Sequence, residues 1–200
     1  MSIRLHTLFN SKQRFQWDTR NKVGLKNGIY IVFEEGETYH DMDRIVRVGE
    51  GRFPGRLSDH FTGNKDGSNF RKNIGKAILN KEKDPYLEIW SKKGAKLNVA
   101  GYDSIHQKNI EFVVSQYMKD HFSFICFPVD TKLEQKRLEE GIIAELNNTS
   151  DFAASDTWLG KYSPENEIID SGLWLKEGLN GIPLSEEEYA KIESLCKRVR

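Results

Sequence analysis

From Asn27 to Phe61 the chain reads NGIYIVFEEGETYHDMDRIVRVGEGRFPGRLSDHF, gathering Tyr30, Arg44, Arg47, Arg52, Arg56 and His60 into one short stretch. A guanidinium presents a planar fork of donors that matches the oxygens of a phosphate. An imidazole, and a phenol placed among cations, can both move a proton near neutral pH. From Arg44 to Lys76, eight basic residues (Arg44, Arg47, Arg52, Arg56, Lys65, Arg71, Lys72, Lys76) stand against three acidic ones (Glu50, Asp59, Asp66). That is an excess of five in a chain whose formal net charge is zero. A local stripe of this kind is what neutralises a nucleic-acid backbone.

These groups need a frame. GIYIVFEEGE is strand-like, because Ile29, Tyr30, Ile31, Val32 and Phe33 are β-branched or aromatic, and Gly36 is expected to supply a turn. RIVRVG is the partner strand, and the acidic, His-containing stretch between them is expected to be a solvated loop. FPGRLSDHF joins a Pro-Gly turn to the start of a helix. In SNFRKNIGKAILN, residues Phe70, Ile74, Ala77 and Ile78 fall on one helical face. Ile110, Val113, Val114 and Tyr117 predict another apolar stripe. FSFICFPV is a nearly continuous apolar run, typical of a buried strand. Thr131 with Glu134 and Ser185 with Glu188 are capping-box signatures. They open helices whose apolar faces are Leu138, Ile142, Leu146 and Tyr189, Ile192, Leu195, Val199.

Hydrophobic content of 38% with 11% aromatics is enough for a packed core, so disorder is excluded as an overall description. The two cysteines, Cys126 and Cys196, stand in no CxxC or Cys/His ligand spacing, which argues against zinc and against a disulfide framework. No apolar run reaches membrane-spanning length, and MSIRLHTLFNSKQRF has no signal-peptide core. The expectation is a cytoplasmic protein with no membrane partner. The order strand, strand, helices, strand, helix is an α+β pattern. It implies a small, mostly antiparallel three-stranded sheet flanked by helices, with a C-terminal helical extension.

The same residues resemble the GIY-YIG nuclease superfamily. Gly28-Ile29-Tyr30 matches its first motif, and Arg47-Val48-Gly49 stands where the second is expected, with Arg47 in place of the second tyrosine. GRLSDHF resembles the arginine-bearing helix, with Arg56 in the arginine position and His60 one turn on. RLEEGIIAEL resembles the helix that carries the metal-binding glutamate. There the spacing selects Glu139, with Glu140 its nearest rival. A bacterial subgroup is closer still, through GIYIVFEEGE, RIVRVGE, RLSDHF, NFRKNIG, SDTWLG and SGLW in that order. The resemblance covers about Gly28 to Trp174. The family's late asparagine has no match.

The resemblance implies metal-dependent cleavage of phosphodiester bonds in double-stranded DNA, with Mg²⁺ or Mn²⁺ as cofactor and Glu139 as its ligand. It implies that Tyr30 orients or deprotonates water and that Arg56 binds phosphate, with Arg47 either lowering the phenol's pKa or holding a phosphate and His60 a hydrogen-bond partner or proton shuttle. All five residues are then expected to line one concave surface. Arg52, Arg71, Lys72 and Lys76 are expected to hold nucleic-acid backbone. Trp158, Leu173 and Trp174 are expected to pack the tail, and Cys126 to be a small buried hydrophobe. The implied layout is an arm at 1–24, the nuclease-like domain at 25–160 and an extension at 161–200 whose helix packs on it. The alternatives are a nucleic-acid-binding protein on the same fold that has lost cleavage, an RNA-directed nuclease, and a structural or protein-binding domain.

Overall fold

The computed structural model describes residues 1–53, 55–94 and 99–198. Two long strands, β1 (Asn27–Tyr39) and β2 (Met42–Arg52), form an antiparallel hairpin, and β3 (Phe122–Pro128) pairs antiparallel with the other edge of β1. The sheet order is β2-β1-β3. As the central strand, β1 is buried on both faces, which is why it reads as an unbroken apolar run. Ile29, Ile31 and Phe33 enter one core with Ile125 and Phe127. Tyr30 and Val32 enter the other with Phe124 and Cys126.

Helices cover both faces. On the Tyr30 side lie α2 (Gly55–Phe61), α3 (Asn69–Glu82), α4 (Leu87–Ser91) and α5 (Ser104–His121). On the other lie α1 (Ser2–Asn10), α6 (Lys132–Asn147) and α8 (Glu186–Cys196). The short α7 (Asn166–Ser171) adds Ile168 to the first core. The fold is therefore α+β with a three-stranded antiparallel sheet flanked by helices and ending on a C-terminal helix. Leu5 and Phe9 of α1 are fully buried, so the N-terminal residues are part of the second core. Among the described residues, no helix is long and apolar enough to cross a membrane.

The stretch expected to be a solvated loop is instead hairpin. The strands run to a two-residue turn at His40 and Asp41, whose φ angles of 48° and 61° suit the mirror-image turns that match strand twist. Gly36, with φ of 86°, sits in a bulge between Phe33 and Thr38 and not at the turn. The acidic residues of that stretch, Asp41 and Asp43, are exposed as expected, whereas Glu34 and Glu37 of the strand-like run are drawn inward by distant partners. Glu37 Oε2 accepts from Arg44 Nε and Nη2 at 3.0 and 2.6 Å and from the Ser155 amide at 3.1 Å. Glu34 Oε2 accepts from the indoles of Trp158 and Trp174 at 2.7 and 2.8 Å, and its other oxygen takes the Tyr117 hydroxyl. The two tryptophans thus pack, as expected, and also satisfy a buried carboxylate whose pKa desolvation raises.

On α5 the buried stripe is Ile110, Val114 and Met118, one position round from the expected face, leaving Phe112 and Val113 exposed. Both oxygens of the expected Ser185–Glu188 box are engaged. Thr131 caps α6 through the Glu134 amide, while the Glu134 carboxylate turns to Lys191. Pro54 of the expected Pro-Gly turn and Val199 of the last helical face lie outside the described residues.

Candidate active site

A cleft of about 510 Å³ runs along the edge strand β2, which contributes Arg47, Val48 and Glu50. Arg56 enters from α2, and Asn69, Lys72, Asn73 and Lys76 enter from α3. Lys136, Glu139, Glu140 and Ile143 enter from α6, and residues 175–178 close the remaining side. Helices α3 and α6 belong to opposite cores. They share a cleft because β2 ends the sheet, so groups from both faces can meet around its edge.

Tyr30 and His60 lie beneath this cleft, each 1% exposed. The Tyr30 hydroxyl is 2.6 Å from His60 Nε2, and His60 Nδ1 is 2.7 Å from the Ser68 hydroxyl. Ser68 is also the N-cap of α3, accepting the Arg71 amide at 3.2 Å, so the helix start holds the imidazole. Burial, then the positive charges of Arg47, Arg56 and Arg71, hold His60 well below the ordinary histidine range. A neutral ring has one donor and one acceptor, and both are used here.

The Tyr30 hydroxyl fills the side-chain space of Gly49. Tyr30 pairs with Gly49 across the hairpin, and a Cβ there would lie 2.1 Å from the Tyr30 hydroxyl. Val48 and Glu50, on either side, both line the cleft. Gly49→Ala is expected to overpack this point at a cost of about 1–3 kcal/mol and to displace the phenol. Urea melts and a nicking assay on the same preparation would check both effects. An alanine variant as stable and as active as wild type would contradict the packing argument.

Arg47 is 6% exposed and donates from Nη1 to the Trp174 carbonyl, while its guanidinium stacks 4.7 Å from the centre of the Phe70 ring. Its Nε is buried without a partner. Arg56 lies against Gly51, where a Cβ would come within 2.9 Å of the arginine Cγ. Glu139 has its pKa pushed up to about 7, first by desolvation and then by the negative charge of Glu50, with Arg47, Lys132 and Arg56 opposing. Glu50 pairs through Oε1 with Lys132 and leaves Oε2 buried and unpartnered. Among the described residues, no set of three or more His, Cys, Asp or Glu side chains is placed to hold a metal ion.

Arg47, Arg56 and Glu139 therefore share the cleft, whereas Tyr30 and His60 support it from behind. Lys72 and Lys76 line it, and Lys76 is also paired with Glu165, which binds Lys176 as well. Arg52 is exposed at the end of β2 and outside the lining. Arg71 departs from the expected backbone-binding role. It is fully buried, bonds Glu111 Oε2 at 2.8 Å and donates to the His60 carbonyl at 3.1 Å, so no face of it is open to solvent. Arg44 and Lys65 are likewise internal, at 0% and 2% exposed. The eight-residue basic stripe is thus partly structural. The cleft draws replacement charge from Lys136 and Lys176, which lie far along the chain and which the local count could not include. Glu50 was also missed. It follows the second motif directly, yet nothing in its spacing marks one of its oxygens as buried.

A family model described as GIY-YIG domain matches residues 3–191. The chain belongs to the GIY-YIG family. Its two signature segments are the facing strands of the hairpin, and the pairing of Tyr30 with Gly49 gives the glycine of the second segment a steric reason. GIY-YIG membership implies a nuclease, and so phosphodiester hydrolysis as the class of chemistry. No curated protein and no solved structure matches the chain.

Proposed function

We propose that this GIY-YIG protein is a divalent-metal-dependent endonuclease acting on double-stranded DNA. The observation that carries the reading is the meeting of Arg47, Arg56 and Glu139 in one cleft, directly over the Tyr30–His60 pair. Arg56 and Arg47 bind the oxygens of the scissile phosphate, using donors such as the unpartnered Arg47 Nε. Tyr30 orients the attacking water; as its oxygen takes the water's proton, the phenolic proton passes to His60 Nε2, while His60 Nδ1–H donates to the Ser68 hydroxyl.

The donor set fits a hard cation. Glu139 is desolvated beside a like charge, and Glu50 has a buried oxygen with no partner. A divalent ion, which prefers oxygen donors, would relieve both costs. Glu139, with Glu50 beside it, would hold Mg²⁺ or Mn²⁺. When bound, the ion supplies positive charge against the phosphoryl oxygens and acidifies water.

Plasmid nicking with Mg²⁺, with Mn²⁺ and with EDTA tests the activity directly. Metal-dependent nicking supports it. Tight binding to duplex with no cleavage under either metal would favour a binding protein on the same fold, to which the replacement of the second tyrosine by Arg47 also points. Binding should rest on the cleft lysines. Affinity for duplex is expected to fall steeply, by roughly ten- to a thousandfold, between 50 and 200 mM salt. Lys72→Ala with Lys136→Ala should weaken it by about tenfold for all sequences alike and flatten the salt slope. Fluorescence anisotropy across a salt series would show this, and a salt-insensitive affinity would count against the phosphate-binding cleft.

A further inference from the structure

Six cationic and four acidic side chains line the cleft, a small excess for a surface that is to hold a polyanion. Two of those six cations are already engaged. Lys76 of α3 donates to Glu165 Oε1, and Lys176, from the segment that closes the remaining side, donates to Glu165 Oε2 at 2.7 Å. Glu165 itself lies outside the lining. Its carboxyl is held below the ordinary carboxylate range, first by Lys176 and then by Lys76, so it stays ionised at neutral pH.

Each oxygen of this carboxylate thus takes an ammonium from a different wall of the cleft. A backbone phosphate offers the same thing, two neighbouring anionic oxygens that only accept. The three side chains have the pattern of a phosphate site filled from within. Lys76 is 12% exposed, Lys176 40% and Glu165 20%, so water reaches both pairs. Pairs in contact with water are weak and screened by salt, and a competing anion can take them over. Neither wall depends on the carboxylate for its place. Helix α3 is tied to the Tyr162 carbonyl through Asn80 at 2.9 Å, and the closing segment follows Trp174, whose amide donates to the Val46 carbonyl at 2.7 Å.

We propose that Lys76 and Lys176 form a paired subsite for a DNA backbone phosphate, and that Glu165 fills it as an internal stand-in which DNA must displace. The carboxylate withholds two of the six cations from loosely bound polyanions and so raises the threshold for engagement. This rests on the DNA-binding part of the reading above, and affinity is measured without cleavage so that the two can fail separately. Fluorescence anisotropy with a labelled duplex in EDTA would compare full-length wild type, Glu165→Gln, Glu167→Gln, Lys176→Gln and the double variant Glu165→Gln/Lys176→Gln. Glutamine keeps the size of Glu165 and removes its charge. Glu165→Gln should bind about three- to tenfold more tightly than wild type at low salt, and the gain should shrink as salt rises and screens the wild-type pairs. Glu167, two residues along, is exposed and lines no part of the cleft. Removing its charge should change affinity by less than about twofold, which separates release of the subsite from a general loss of negative charge. In the Lys176→Gln background the gain from Glu165→Gln should fall to about twofold or less, because half of the subsite is gone. Thermal melts confirm that each variant is folded.

Tighter binding by Glu165→Gln that the loss of Lys176 suppresses supports the subsite even if Mg²⁺ produces no cleavage, in which case only the nuclease reading falls. Affinity that is unchanged or weaker in Glu165→Gln overturns it even if the protein nicks DNA. So does a gain that Glu167→Gln matches, or one that persists in full without Lys176.

Discussion

Glu139→Gln is expected to reduce Mg²⁺-dependent nicking by about a thousandfold, the scale seen when a principal charge-stabilising group is removed. Glutamine keeps the length and helix propensity of the side chain but offers a hard cation no charge. Duplex binding should persist or improve, because a carboxylate near phosphates repels them. The stability effect has a definite sign. Desolvation and the neighbouring Glu50 push the Glu139 carboxyl up to about 7 in the folded chain, from its ordinary value near 4.5. Between those values the folded state keeps a proton that the unfolded state has released. Stability therefore falls as pH rises through that window and levels off above it. Glutamine escapes this cost, so without metal at pH 8 the variant should be the more stable protein, by up to about 3 kcal/mol. Adding Mg²⁺ should raise the melting temperature of wild type and leave that of the variant unmoved. Glu140→Gln, at a half-buried residue paired with Lys136 at i, i+4, should change nicking little. Equal nicking by wild type and Glu139→Gln would remove Glu139 from the site.

Tyr30→Phe is expected to slow single-turnover nicking by about a hundred- to ten-thousandfold, the range for loss of a positioned proton-transfer group. The ring stays in place against Phe53 and Gly49, so the core is kept. What goes is the hydroxyl, and with it the partner of His60 Nε2. Leaving that buried nitrogen unpaired should cost about 1–3 kcal/mol. Affinity for DNA should be unchanged, because Tyr30 is not among the groups lining the cleft. Quenched-flow nicking with saturating enzyme separates the chemical step from binding. A phenylalanine variant that nicks at the wild-type rate would take the phenol out of the chemistry.

The strands and the main helices could be read from local pattern, because apolar runs and periodic faces are properties of neighbouring residues. The elements misread were those whose partners lie far away. Nothing local marks Glu34 and Glu37 as buried until Trp158, Trp174 and Ser155 arrive more than a hundred positions later. Arg71 looks like a surface cation until Glu111 arrives 40 residues on. Polarity signals solvent only where no buried counter-charge exists, and a counter-charge has no sequence period. The motifs picked out Arg47, Arg56 and Glu139, whereas Glu50, Asn73, Lys136 and Lys176 left no comparable trace. Asn73 was hidden because the polar stripe of α3 reads like any solvated helix face.

The segment around Trp174 ties these distant pieces together. Its amide donates to the Val46 carbonyl at 2.7 Å, its carbonyl receives Arg47, and its indole caps Glu34. Arg47 is thus fixed by a residue 127 positions downstream, and residues 175–178 close the cleft. A ribosome-bound chain that has made both signature strands, α3 and α6 still lacks the anchor for Arg47 and one wall of the cleft. Domains synthesised from the N-terminus fold as their parts emerge. The cutting site is therefore among the last features to be completed during translation. Products of premature termination before Gly172 would carry the family's motifs without the assembled cleft.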